Sequence, residues 1–233
     1  YGELMNQNCL CLFLLVPLLP LCAAAAQPWD KYVLAPAGRV VAPRAPLFPV
    51  VLKYENASAS PFVLLDFGKE VGGFVSIEVG AVSGGTSAHL GLTFSESADY
   101  AACPSTAANS HCPNVPGRAN QMYSGDDSNG GGDPSPHPDG AVLTGPVGPD
   151  SIFRVKSSHL RGGFRYLNVF VAGNDSIVVE IKSVHVTFTA APRMQNLRLY
   201  ENHFFSSDDL LNRIWYAAAY TAQMCLISPQ HGR

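Results

Sequence analysis

The sequence predicts a mostly β fold, an antiparallel sandwich of the jelly-roll type, on three observations. Several short segments alternate apolar and polar residues, turn residues separate them, and no helical period lies between them. Glycine and proline, 21 and 18 of 233 residues, suit strands, turns and long loops better than helices.

The elements follow in chain order. In "LLDFGKEVGG" the apolar Leu64, Leu65 and Phe67 read as a strand end, Gly68 permits a turn, and Gly72-Gly73 restarts the chain as the next strand. Asp66 is then a turn residue whose carboxylate accepts backbone hydrogen bonds. A kinase-type DFG aspartate would need an upstream glycine-rich loop, a strand lysine and an HRD loop, and the sequence before Asp66 has none of these. "GFVSIEV" places Val75, Ile77 and Val79 on one face, and "HLGLTFSE" does the same with Leu90, Leu92 and Phe94. The Gly84-Gly85 turn between them suggests a hairpin. "FRYLNVFVAG" from Phe164 is a further strand. "SIVVEIKSVHVTFTA" switches phase from Ile177, Val179 and Ile181 to Val184, Val186 and Phe188, the mark of a bulge or bend.

The flanking segments have other compositions. Residues 1–26 read as a signal peptide: Cys9 to Ala26 is apolar, ends in small residues and offers A-x-A choices that put the mature start near Gln27. No Lys or Arg precedes that stretch. A membrane anchor is the rival reading, disfavoured by Pro17 and Pro20 and by a run short of the ~20 residues a spanning helix needs. Residues 27–59 form a proline-rich lead-in, and 60–200 the β-sandwich. Within it, a divergent loop over 97–150 carries too little apolar surface to build a core.

Near the C-terminus the period becomes helical. Ser206 or Ser207 is placed to cap a helix with Asp208 and Asp209 in its first turn. Leu210, Leu211, Ile214, Trp215, Ala217 and Ala218 then repeat as an apolar face that needs a partner surface. The helix should end before Pro229, and residues 201–233 read as the truncated start of a helical domain.

With 47% hydrophobic and 14% charged residues and a formal charge of -3, the chain is globular in composition and lacks the basic footprint of a nucleic-acid binder. A secreted chain that loses its leader keeps Cys103, Cys112 and Cys225. Cys103 and Cys112 are a candidate local disulfide, with two free thiols as the alternative. Zinc on that pair with His111, or calcium at Asp126 and Asp127, lacks a matching ligand spacing, so no metal site is expected. Cys225 suits a buried position in the helix. Asn56 and Asn174 head N-glycosylation sequons.

LDFGKEVGGFVSIEV, LGLTFSES, RGGFRYLNVFVAG, VHVTFTAAP and FFSSDDLLNRIWYAAAYT, in that order, resemble the N-terminal part of fungal α-L-rhamnosidase-like proteins related to glycoside hydrolase family 78. The resemblance covers roughly residues 60 to 225 apart from the divergent loop. It implies a β-sandwich packed against an (α/α)6 barrel, with the helix at Ser207 to Thr221 at or near the barrel entry. It further implies inverting hydrolysis of terminal α-L-rhamnose from glycosides or polysaccharides, with no cofactor. The catalytic carboxylates of that family lie in the barrel, so no residue here inherits them. Glu70, Glu78, Glu96 and Asp99 read as solvated strand-end groups.

A carbohydrate-binding module without catalysis is the alternative. Tyr123, Tyr166, Trp29 or Phe170 would stack on a pyranose, and Arg161 or Arg165 would hold hydroxyls. A third possibility is a product without a stable fold, left with an unpartnered helix. Secretion, and no membrane association once the leader is cleaved, complete the expectation.

Overall fold

A computed structural model describes residues 26–55, 61–85, 88–96, 98, 142–143, 146–156, 160–172, 176–189, 194 and 196–226. Asn56, Cys103, Cys112, Tyr123, Asn174, residues 1–25, where a leader is expected, and most of residues 97–150 lie outside the described residues.

The centre of the fold is β3, Phe62–Gly84, a single strand of 23 residues. Its first half pairs antiparallel with β7 (Arg161–Ala172), from Phe62↔Phe170 to Gly73↔Arg161. Its second half pairs with β8 (Ile177–Phe188), from Gly73↔Phe188 to Gly84↔Ile177. Beyond β7 lie β4 (His89–Ser95) and β5 (Val142–Leu143); beyond β8 lie β1 (Val40–Val41) and β2 (Val50–Tyr54). A short β6 (Ile152–Arg154) joins the other edge of β3. One hydrophobic cluster draws on both halves of this antiparallel β-sandwich.

Alternation holds in β3 on both sides of residues 68–73: Val63, Leu65 and Phe67 before them and Val75, Ile77 and Val79 after them are buried, as is Val71. The register against β7 nevertheless shifts between Asp66 and Val71, where Gly68 takes φ +76°. The expected strand end at Phe67 is therefore a bulge inside a continuous strand, because the step from Phe67 to Val71, the buried positions on its two sides, is four positions and so even. The phase switch in β8 is as expected: burial passes from Ile181 to Val184, and the pairing with β3 shifts between Glu78 and Val79.

The hairpin expected from residues 73–79 and 89–96 does not form. Both edges of that part of β3 are taken, one by β8 and one by β6, with Val155 N–H donating to Val75 O and Val79 N–H to Ser151 O. β4 pairs instead with β7, from His89↔Ala172 to Ser95↔Tyr166. The proline-rich lead-in supplies β1, β2 and a short 3-10 turn at Asp30–Tyr32, and it buries Tyr32, Val33, Ala35, Leu52 and Tyr54.

Gly91 lies opposite Phe170 on β7, and a Cβ built there would run into the Phe170 ring. Phe170 is fully buried, so it belongs to the packing and not to a sugar-binding surface. Gly91→Val should therefore destabilise the fold by about 1–3 kcal/mol through overpacking. Urea unfolding would read this as a lower midpoint at unchanged m-value.

Candidate functional site

Two places bring together polar side chains that packing alone does not require. The first is on β3 and β7. Asp66 and Tyr166 are register partners, and Arg165 turns its guanidinium to the Asp66 carboxylate with Nε to Oδ1 at 2.8 Å and Nη2 to Oδ2 at 2.9 Å. The same guanidinium lies 5.0 Å from the Tyr166 ring centroid. Gly68 N–H donates to Asp66 Oδ1 at 2.6 Å, the turn bond expected of this residue. The Asp66 backbone is engaged as well: Arg44 N–H donates to its carbonyl and its own N–H donates to Ala45 O.

The Arg165 hydrogen bond holds the Asp66 carboxyl below its ordinary range, with the Gly68 N–H adding to the effect against a smaller opposing effect of burial. Asp209 is also moved down, chiefly by the Tyr32 hydroxyl. Both directions are opposite to the raised pKa that a general acid needs. The Asp66, Arg165 and Tyr166 group is thus an ion-paired lock that joins β3, β7 and the lead-in. Arg161 lies in β7 opposite Gly73, and its side chain is outside the described residues. Trp29, the other aromatic candidate, is stacked on His203 at 4.7 Å.

The second place is α1, Asp209–Cys225. Its N-cap is Asp208 rather than Ser206 or Ser207. The Asp208 carboxylate accepts from Leu210 N–H at 2.8 Å and Leu211 N–H at 3.3 Å, and Ser206 Oγ bonds the backbone of Asp208.

The buried side of α1 is not its most apolar one. Asn212, Tyr216, Tyr220, Gln223 and Met224 face the protein, whereas Leu210, Leu211 and Ile214 are at least half exposed. Cys225, expected to be buried, is exposed at the last helical position. The side-chain polar groups of Asn212, Gln223 and Tyr220 find partners, which helps this face to be buried, whereas the buried Tyr216 hydroxyl has no hydrogen-bond partner among the described residues. Asn212 accepts from Ser206 N–H at 2.8 Å and donates to Ser206 O at 3.0 Å. Gln223 donates to Leu197 O at 3.2 Å and accepts from the Tyr200 hydroxyl at 3.1 Å. Tyr220 donates to Glu70 O at 2.6 Å, and burial pushes its phenol well above the ordinary range, so it stays a donor. Tyr216 stacks between Tyr32 and Tyr200 at 6.1 and 6.3 Å.

Beside α1 runs a cleft of about 670 Å³. Trp215, Ala219 and Leu226 line it from the helix, and Leu199, Tyr200 and Glu201 from the segment before it. The cleft and the exposed leucines make one side of α1 a surface suited to packing another element. Among the described residues no group of three His, Cys, Asp or Glu side chains is placed to hold a metal ion. No helix among them is long and apolar enough to cross a membrane.

No protein-family profile matches the sequence, and no curated protein matches it. Similar solved structures include two rhamnosidases. One is a rhamnosidase from Klebsiella oxytoca with rhamnose bound, at 18% identity and a TM-score of 0.46 over 85% of this chain and 37% of that one. The other is a GH78 family rhamnosidase of Bacillus sp. GL1, at 18% identity and a TM-score of 0.46 over 87% of this chain and 16% of that one. The chain thus spans well under half the length of either. Likeness at this level assigns no chemistry to these residues.

Asp66→Asn should lower Tm by about 2–4 °C at neutral pH. Because the folded-state pKa of Asp66 is depressed, its contribution is present above the unfolded value near 3.8 and lost as pH falls below it. The two melting curves should therefore converge in acid. On α1, Leu211→Lys and Ile214→Glu should change stability by no more than about 0.5 kcal/mol, whereas Tyr216→Ala should cost about 3–5 kcal/mol. Denaturant titration of the three variants checks which face is buried.

Proposed function

We propose that the chain is the N-terminal β-sandwich portion of a secreted glycoside hydrolase whose full-length form removes terminal α-L-rhamnose by inverting hydrolysis. In this reading residues 1–26 are a leader, 27–59 a lead-in, and 60–200 the sandwich with its divergent loop. Residues 201–233 begin the helical catalytic domain. Rhamnose-containing glycosides or polysaccharides are the substrates of the whole protein, and this portion has no hydrolytic activity alone. The proposal includes a Cys103–Cys112 disulfide and N-glycans on Asn56 and Asn174.

One observation carries the reading. α1 is docked by a polar and aromatic face while Leu210, Leu211 and Ile214 point away from the sheet. Full burial of a Leu or Ile side chain is worth about 1.5–3 kcal/mol, and these three, half or more exposed, forgo a part of it. A helix built this way fits between a sheet on one side and further helices on the other, the position that the ordered sequence motifs imply for the first helix of an (α/α)6 barrel. The depressed pKa of Asp66 and the engagement of Arg165 fit a supporting role for the sandwich. They also leave the alternative, a carbohydrate-binding module, with Arg165 already committed to Asp66 and Phe170 buried.

The test is to clone the reading frame through and beyond Arg233 and assay a chromogenic aryl α-L-rhamnoside. The extended protein should release rhamnose with inversion at the anomeric carbon, followed by NMR, and residues 27–233 should release none. A downstream frame without helical repeats and paired acidic residues, or an extended protein inert toward the rhamnoside, would sink the reading. Calorimetric titration of residues 27–233 with rhamnose should show no heat at millimolar sugar; binding there would favour the module instead.

A further inference from the structure

The lead-in does more than connect. Tyr32 donates its hydroxyl to Asp209 Oδ1 at 2.7 Å, and Trp29 stacks on His203. Arg198 reaches back with Nη1 to Val33 O and Ala35 O, both at 2.8 Å, and with Nη2 to Asp30 O at 2.8 Å. Lys69 Nζ takes Leu34 O. Residues 30 to 35 are therefore tied to the start of α1, to the segment before it and to β3. At the head of this strap, Gln27 N–H donates to Asp30 Oδ2 at 2.7 Å and Asp30 N–H returns to Gln27 O at 3.0 Å.

We propose that Gln27 is a processing site: a peptidase cuts the Ala26–Gln27 bond, and the amine it frees becomes an ammonium paired with Asp30. The inference rests on the leader reading of residues 1–26 and adds what removal of that leader does to the terminus it leaves. Water adds across the peptide bond, the leader leaves with the Ala26 carboxylate, and Gln27 keeps the nitrogen as –NH3+. A neutral N–H donor with one hydrogen thereby becomes a charged donor with three. It already faces its carboxylate at 2.7 Å, and such charge-assisted bonds are the stronger kind. Position and accessibility agree: Ala26, Gln27 and Pro28 are exposed, whereas packing begins at Trp29 and is complete at Tyr32 and Val33. A cut further along would remove Gln27 O or Trp29 from the strap.

The experiment is to express the full chain in a secreting host and read the N-terminus of the exported protein by sequencing and intact mass. A start at Gln27 with a free amine is expected. A different start, or Gln27 cyclised with loss of ammonia, overturns the proposal. A chain retained with its first 26 residues overturns it together with the leader reading, while the rhamnoside assay above stands or falls separately. A second measurement isolates the ion pair. Asp30→Asn should lower Tm by up to about 3 °C in a chain beginning at Gln27, with the shift shrinking in high salt. In a chain that retains Ala25-Ala26 the shift should be clearly smaller, since a neutral amide replaces the ammonium. Equal shifts in the two chains overturn the pairing.

Discussion

Strand β3 belongs to both halves of the sandwich, and a strand that passes from one hydrogen-bonded partner to another must bend without losing its alternation. The bend is concentrated between Asp66 and Gly73, where the register against β7 slips twice. Two glycines make it possible. Gly68 adopts φ +76°, and Gly73, at φ +147°, lies so close to the Thr187 carbonyl that a Cβ would collide with backbone. Because the step from Phe67 to Val71 is four positions, the alternating buried residues of Val63 to Phe67 and of Val71 to Val79 stay in phase across the bulge. A one-residue slip would have turned half of the strand inside out.

The bulge also decides where the polar lock forms. Bulging lifts Phe67 to Glu70 out of the ladder with β7, which lets Gly68 N–H turn back onto Asp66 and brings the Glu70 carbonyl within reach of Tyr220 on α1. Arg165 closes the lock from β7, and the lead-in adds two backbone bonds at Arg44 and Ala45. The irregular part of β3 is thus the place where the sheet, the lead-in and the terminal helix are all fastened. In a regular ladder the Gly68–Asp66 turn bond could not form.

Alternating segments were legible because each strand has one buried face, and a period of two survives bulges when the phase is followed through them. The pairing partners were less legible. Gly84-Gly85 suggested a local hairpin, yet β8 and β6 occupy the edges of β3 by contacts about 100 and 75 residues away in sequence. Helix α1 was legible in its place and length, but its orientation was not. Counting Leu and Ile points to Leu210, Leu211 and Ile214. The helix instead buries Asn212, Tyr216, Tyr220 and Gln223, and the partners of Tyr220 and Gln223, Glu70 O and Leu197 O, lie 150 and 26 positions away and cannot be counted in a local window. One signal was available: two tyrosines four residues apart, flanked by Asn and Gln, form their own stripe at helical spacing. The Asp66 turn was readable from D-F-G, whereas its ion pair with Arg165 depends on β7 pairing in one register.

A helix with a satisfied polar face and an unsatisfied apolar face has two different relations to its surroundings. The polar face is specific: Tyr32 with Asp209 requires the lead-in, Tyr220 with the Glu70 carbonyl requires β3, and Tyr200 with Gln223 requires the segment before the helix, and together they set the helix's position. The apolar face is permissive, since burial of Leu210, Leu211 and Ile214 depends on area more than on geometry. Fixing the first helix through its polar side therefore fixes the direction from which any further helix must approach, before that helix has packed. That division also gives the lead-in its part in the fold. Residues 30 to 35 meet the segment from Arg198 to Asp209 across about 170 positions of chain, so α1 can be held only after the sheet between them has brought the two ends together.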